Sequence, residues 1–219
     1  MTPPVHFLHI SKTGGSAIRE ALLPLARRHG LVLHGHMKFL RDIPEGERAF
    51  FFVRDPVSRF VSAFNSRLRM GRPKYDNPWL ETEKVFFAAF PTANALAEAL
   101  AGDDPERRHL AREAMSGIPH VNMPQLWWLD SPEYLAQRRA SIAFVGFQER
   151  LTEDFERLTR VLGLPPELAL PTDPVLAHAT PPGFDTTLGE AGRGAIEAWY
   201  ARDLAIVAYL RRHHAPPGG

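Results

Sequence analysis

The chain of 219 residues is 44% apolar and carries 26 basic against 25 acidic residues, a net charge of +1. That is enough apolar material for one substantial core, while so even a balance excludes a global field that would draw the protein onto nucleic acid or an anionic membrane, so any anion site has to be local. The absence of cysteine excludes disulfides, thiolate metal centres and cysteine nucleophiles.

Met1-Thr2-Pro3-Pro4 leads directly into the apolar run Val5–Ile10, without the charged segment, long apolar core and cleavage site of an export signal. No stretch reaches the roughly 18–20 uninterrupted apolar residues of a membrane span. These features predict a soluble, cytoplasmic protein forming a single domain over residues 1–219.

Residues 5–10 read as a strand, Ser11–Ser16 as a polar loop and Ala17–Leu23 as a helix. Leu31–His34 is a second short strand, and Arg48–Val53 a third that looks buried on both faces. Short apolar strands alternating with helices predict an α/β fold, a P-loop-like three-layer arrangement with a central parallel sheet. Asp55-Pro56 opens a helix running to about Met70, because Asp caps amides and Pro has the right φ at the first helical position. Helical periodicity over 81–90, 93–100 and 105–115 predicts a helical insertion or acceptor cap over about 72–140. Ser141–Val145 is a further strand, followed by an amphipathic helix over 149–162 that Gly163 stops. A proline-rich ordered loop, 165–183, and a last helix over about 188–212 complete the chain. No internal repeat is present, and the terminal Pro-Pro-Gly-Gly is the one low-complexity stretch.

Ser11-Lys12-Thr13-Gly14-Gly15-Ser16 falls between a strand and a helix, where successive backbone amides and the positive helix end form an oxyanion cradle. Gly14 and Gly15 let the backbone approach a phosphate, Thr13 and Ser16 offer hydroxyls, and Lys12 adds a charge. The glycines follow the lysine, whereas the ATP-binding loop places glycine before Lys-Ser/Thr; here Ser11 and His6 stand at those places.

A second anion site is predicted around Arg54, at the end of the third strand, with Ser62 on the following helix. Arginine on a rigid strand end grips phosphate through two parallel hydrogen bonds. Asp55, Ser58, Ser62 and Ser66 share one helix face, and Phe60, Val61 and Phe64 face the core. Arg59 is read as part of a structural salt bridge.

Taken together, His9–Ser16 and Arg54–Phe64 resemble the two nucleotide-binding motifs of the sulfotransferase family, especially its carbohydrate-acting members. The resemblance implies a donor, 3′-phosphoadenosine-5′-phosphosulfate, whose 5′-phosphosulfate is held by Ser11, Lys12, Thr13, Gly14, Gly15 and Ser16. It implies that Arg54 and Ser62 hold the 3′-phosphate and that adenosine 3′,5′-bisphosphate is the product. Phe144–Glu149 with the following helix and Leu162–Pro165, the glutamine-containing segment Pro124–Leu129 and Trp199–Asp203 are similar to later parts of the family. Residues 72–118 are not, and acceptor choice is expected there.

Sulfuryl transfer needs an in-line nucleophile, a stabilised leaving phosphate and a base, and this logic requires no metal. Lys12 is expected to stabilise the leaving group. His34-Gly35-His36, after the second strand, resembles the His-Gly-His of uronosyl 2-O-sulfotransferases, which implies His36 as general base with His34 as neighbour or substitute. The other eight histidines are read as structural or exposed, and Trp127 and Trp128 as core, with stacking on a sugar ring as the alternative. The expected acceptor is a carbohydrate or glycolipid hydroxyl. A nucleotide kinase and a non-catalytic nucleotide-binding module are the alternatives.

Overall fold

The computed structural model describes residues 3–177 and 180–214. His178, among the histidines read as structural, and the Pro-Pro-Gly-Gly terminus lie outside the described residues. The chain divides into two compact units, one made of Met1–Asp55, Gln125–His178 and Arg202–Gly219, the other of Pro56–Pro124 and Ala179–Ala201. The segment predicted as a helical insertion, 72–140, therefore contributes to both.

The first unit is built on four strands, β1 (Val5–Leu8), β2 (Leu31–Leu33), β3 (Arg48–Val53) and β4 (Ile142–Phe147), in the order β2-β1-β3-β4. All three neighbouring pairs are parallel, and helices flank the sheet, the α/β architecture that the strand and helix alternation predicts. Side chains alternate between the two faces of a strand. On one face Phe7, Phe50, Phe52 and Phe144 form a core with Ile18 and Leu22 of α1 (Gly15–Leu22) and with Phe155 and Leu158 of a later helix, Leu151–Leu162. Alternation directs His6, Leu8, Phe51 and Val53 to the other face, where all are buried as well. Continuous apolar runs are what a strand covered on both sides needs.

Gly146 stands opposite Phe52 in the β3–β4 register. A Cβ there would come within 2.2 Å of the Phe52 ring, so the strand carries glycine where its neighbour carries a large aromatic.

The second unit is helical. It contains α2 (Pro56–Leu68), α3 (Glu81–Ala89), α4 (Ala93–Ala101), α5 (Pro105–Gly117) and the later helix Glu190–Trp199. Thr92 and Asp104 cap α4 and α5 by accepting first-turn amides, as their side-chain oxygens favour. Phe60, Phe64, Phe86, Phe90, Leu96 and Met115 belong to its core. Leu68 ends α2 two residues short of the predicted boundary, because Met70 and Gly71 turn into the left-handed region with φ of 58° and 79°.

Of the polar face expected on α2, Ser66 is buried while Asp55, Ser58 and Ser62 are half-buried, and Arg59, Asn65 and Arg67 are buried along with the apolar side. Each long polar side chain has partners inside the unit. Arg59 donates to the carbonyls of His120 and Met123, and Asn65 to that of Asp185. Arg67 makes two parallel bonds to the fully buried Glu83, at 2.7 and 2.6 Å.

Two short helices, α6 (Leu126–Leu129) and α7 (Pro132–Gln137), precede β4, and α8 (Leu151–Leu162) follows it. Gly163, with φ 61°, ends α8 as expected. The proline-rich stretch 165–183 carries no helix or strand among the described residues. The last helix is broken at Tyr200 into α9 (Glu190–Trp199) and α10 (Ala201–His214). Tyr200 is buried and donates its hydroxyl to the Val121 carbonyl at 2.5 Å, so α9 is anchored in the second unit, whereas α10 from Arg202 onward belongs to the first.

Removing one partner of a buried ion pair strands the other charge at a cost of about 3–5 kcal/mol. Glu83→Ala is therefore expected to lower stability by about that amount, read from the midpoint of chemical denaturation at constant slope. The double variant Arg67→Met with Glu83→Leu should recover most of the loss. A single-variant effect below about 1 kcal/mol, the range of an exposed pair, would refute this account.

Candidate active site

The sheet order creates the site. From β1 the chain moves to β2 on one side, then returns across β1 to add β3 on the other side. Loops leaving β1 and β3 at their carboxyl ends therefore diverge, and such a switch point is where open α/β sheets bind ligands. Lys12 follows β1 and Arg54 follows β3.

The loop after β1 is wound by two left-handed residues, Lys12 at φ 66° and Gly14 at φ 85°. Lysine tolerates that region poorly, so the conformation is imposed by what surrounds it. Ala17 and Ile18 make the first helical bonds of α1, both to the Gly14 carbonyl, and the preceding amides lie outside the helical ladder. Gly14 supplies no side-chain cap and the first turn holds no acidic residue, so α1 sets no carboxylate of its own against its positive end.

The predicted loop residues divide by burial. Lys12, Gly14 and Ser16 are half-buried, whereas Ser11, Thr13 and Gly15 are buried. Thr13 gives its hydroxyl proton to the Ile10 carbonyl at 2.9 Å, so in this conformation it stiffens the loop, and what it presents to an anion is its amide. Gly15 has a reason beyond ligand access. A Cβ there would lie 2.2 Å from the His9 imidazole, which is packed 4.1 Å, centroid to centroid, from His36.

Arg54 donates from Nη1 to the Lys12 carbonyl at 3.3 Å. The two residues that the spacing of the motifs singled out thus meet at one end of the sheet. Ser62 is half-buried on the second turn of α2, within the second unit.

Beneath Arg54 lies a contact with no counterpart in local sequence pattern. Gln125 accepts the Arg54 amide at 3.0 Å and donates to the Arg54 carbonyl at 2.9 Å. Its own amide donates to Asp203 at 2.7 Å. Gln125 and Asp203 are both fully buried.

The two histidines after β2 sit in different surroundings. His36 Nδ1 lies 2.8 Å from the His9 carbonyl. A carbonyl can only accept, so the Nδ1 proton is fixed there, and in the neutral ring Nε2 carries the lone pair. The His36 carbonyl in turn accepts the Trp128 indole N–H at 2.7 Å. Trp128 is 1% exposed and is a core residue, while Trp127 is 43% exposed.

His34 instead joins a chain of titratable groups: its Nε2 is 2.8 Å from His6 Nδ1, and His6 Nε2 is 2.5 Å from Glu47 Oε2. His6, read as one of the structural histidines, is thus central to this chain. The parallel pairing of β2 and β3 with β1 is what gathers the three residues, which lie far apart in sequence.

Burial holds the His34 pKa below its ordinary 6.5, helped by His6, Lys38 and Arg19 and opposed by Asp42. A histidine depressed in the fold binds its proton more readily unfolded, so its contribution to stability is complete above about 6.5 and is lost as pH falls toward the depressed value. The groups facing it are His6 with Glu47, Lys38, Arg19 and Asp42. His34→Gln is expected to reduce the stability lost between pH 7.5 and pH 5.5, read from denaturant midpoints. An unchanged or steeper loss would place the acid sensitivity elsewhere.

Among the described residues no helix is long and apolar enough to cross a membrane. No curated protein and no solved structure matches the chain. One family model matches, described as the sulfotransferase family, over residues 2–187. That span takes in the wound loop, both histidines, Arg54 and Gln125, and the chain belongs to the sulfotransferase family.

Proposed function

We propose that the chain moves a sulfuryl group from 3′-phosphoadenosine-5′-phosphosulfate to a hydroxyl of a carbohydrate-like acceptor. The observation that carries this reading is the meeting of Arg54 with Lys12 at the switch point of the sheet. A nucleoside with phosphate at both the 5′ and the 3′ positions needs two anion grips a short distance apart. The wound loop supplies one and the strand-end arginine the other. The residues fit such a donor, because no acidic side chain occupies the first turn of α1. The role of Ser62 rests on its spacing from Arg54 alone.

In the reaction the acceptor oxygen forms a bond to sulfur while the bond from sulfur to the phosphate oxygen breaks. The electron pair of that bond stays on the phosphate, where Lys12 and the loop amides stabilise the added charge. The acceptor proton passes to Nε2 of His36, whose tautomer is set by the His9 carbonyl. His34 is the neighbour or substitute, with its Nε2 2.8 Å from His6 Nδ1. The His-Gly-His sequence supports a sugar-hydroxyl acceptor in the manner of the uronosyl 2-O-sulfotransferases, and a cytoplasmic location is part of the same reading.

Adenosine 3′,5′-bisphosphate at 100 times its dissociation constant should stabilise the native state by about 2.7 kcal/mol, raising Tm by about 5–10 °C. ATP with magnesium should give little, and the opposite order would abandon this donor in favour of a kinase-like reading. Transfer from labelled donor to a panel of glycans and glycolipids tests the acceptor class. In that assay His36→Ala is expected to lose about 10²–10⁴ in rate while keeping product affinity. Lys12→Ala should lose about 10²–10³. Near-normal turnover in His36→Ala would remove it from the base role.

A further inference from the structure

The ladder of β3 ends before Arg54. Its pairing with β1 stops at Phe51 and its pairing with β4 at Val53. Arg54 therefore has a peptide N–H and C=O one step beyond the last strand neighbour, at the point where its guanidinium must turn toward the loop. A buried peptide group without a partner costs about as much as a lost hydrogen bond, and a strand end without one frays.

Gln125 closes that gap. A primary amide is the neutral side chain with both a strong acceptor and a strong donor, and Gln125 uses one on each half of the Arg54 peptide pair. It acts as a single-residue extension of the sheet. Gln125 is itself held from two sides: its amide donates to Asp203 Oδ2 at 2.7 Å, and its carbonyl accepts from Trp128 and Leu129 at 3.0 and 3.2 Å. Asp203 Oδ1 also accepts from Leu126 at 2.9 Å. The carboxylate thus spans the start of α6, where a negative charge is favoured by the helix dipole. Both residues are fully buried, and neither carries an exposed surface with which to touch a ligand.

We propose that Gln125, fixed by Asp203, is the positioning residue that orients Arg54 for the 3′-phosphate of the donor. This rests on the donor reading above. A guanidinium grips phosphate through two directional bonds, and a displacement of about 1 Å at such a clamp can cost about 10²-fold. Gln125 therefore acts on the discrimination between nucleotides with and without a 3′-phosphate, not on nucleotide binding at large.

The test is the ratio of dissociation constants for adenosine 5′-phosphate and adenosine 3′,5′-bisphosphate, measured by calorimetry on the full chain. The wild type should favour the bisphosphate, and Arg54→Ala should bring the ratio close to one. Gln125→Met, similar in volume and without the two hydrogen bonds, should cut the ratio at least about tenfold, or 1.4 kcal/mol. Its affinity for adenosine 5′-phosphate should stay within about threefold, or 0.7 kcal/mol. In the Arg54→Ala background Gln125→Met should leave the ratio unchanged. Gln125→Leu, which likewise lacks both hydrogen-bonding groups, should give the same cut and serves if Gln125→Met does not fold. A ratio kept at the wild-type value in either folded variant, or equal losses for both ligands, would overturn the positioning role alone. A wild type that binds the two nucleotides equally overturns the donor reading and this role together.

Discussion

The hydrogen bond from the Arg54 guanidinium to the Lys12 carbonyl depends on β1 and β3 being adjacent and parallel, so that both strands end at the same edge of the sheet. Two cationic residues brought to one edge repel each other. The carbonyl between them offers a dipole of the right sign, and Lys12 is turned into a left-handed conformation that an unconstrained lysine would avoid. Were β3 antiparallel to β1, the two residues would leave from opposite ends of the sheet.

A second consequence of the parallel arrangement is that β2 also ends at this edge, delivering His34 and His36 beside the loop. The same residue type acquires two different chemistries there. His36 is gripped by backbone, through the His9 carbonyl at its ring and the Trp128 indole at its own carbonyl. His34 is gripped by side chains, in a line running through His6 to Glu47. A backbone carbonyl can only accept, so it fixes which ring nitrogen of His36 carries the proton, whereas the His6 ring facing His34 can either donate or accept. The two environments differ although the residues are separated by one glycine.

Local pattern made most of the elements legible. Strand runs such as Arg48–Val53 and helix stops such as Gly163 follow from hydrophobic order and glycine placement, and the structure keeps them within a few residues. Two kinds of feature were hidden. One is polar burial: Ser66 of the serine face is buried, and Arg59, Asn65 and Arg67 find carbonyls and a carboxylate inside the helical unit. The other is long-range pairing. Glu47 meeting His6, and Gln125 meeting Arg54, each join residues that no local window contains, and only the strand order brings them together. The break at Tyr200 falls at another such contact, since its hydroxyl donates to the distant Val121 carbonyl.

The order in which the strands occur has a consequence for how this protein is made. β3 pairs with β4 from Ala49 to Val53, yet residues 54 to 141, most of the helical unit among them, are synthesised between the two. Contacts of such sequence separation form slowly, and a nascent chain exposes unpaired strand edges that invite aggregation. The Phe50-Phe51-Phe52 edge must therefore wait on the ribosome without its neighbour while the helices form. A sheet whose last strand arrives late leaves that edge unpaired for as long as residues 54 to 141 take to emerge.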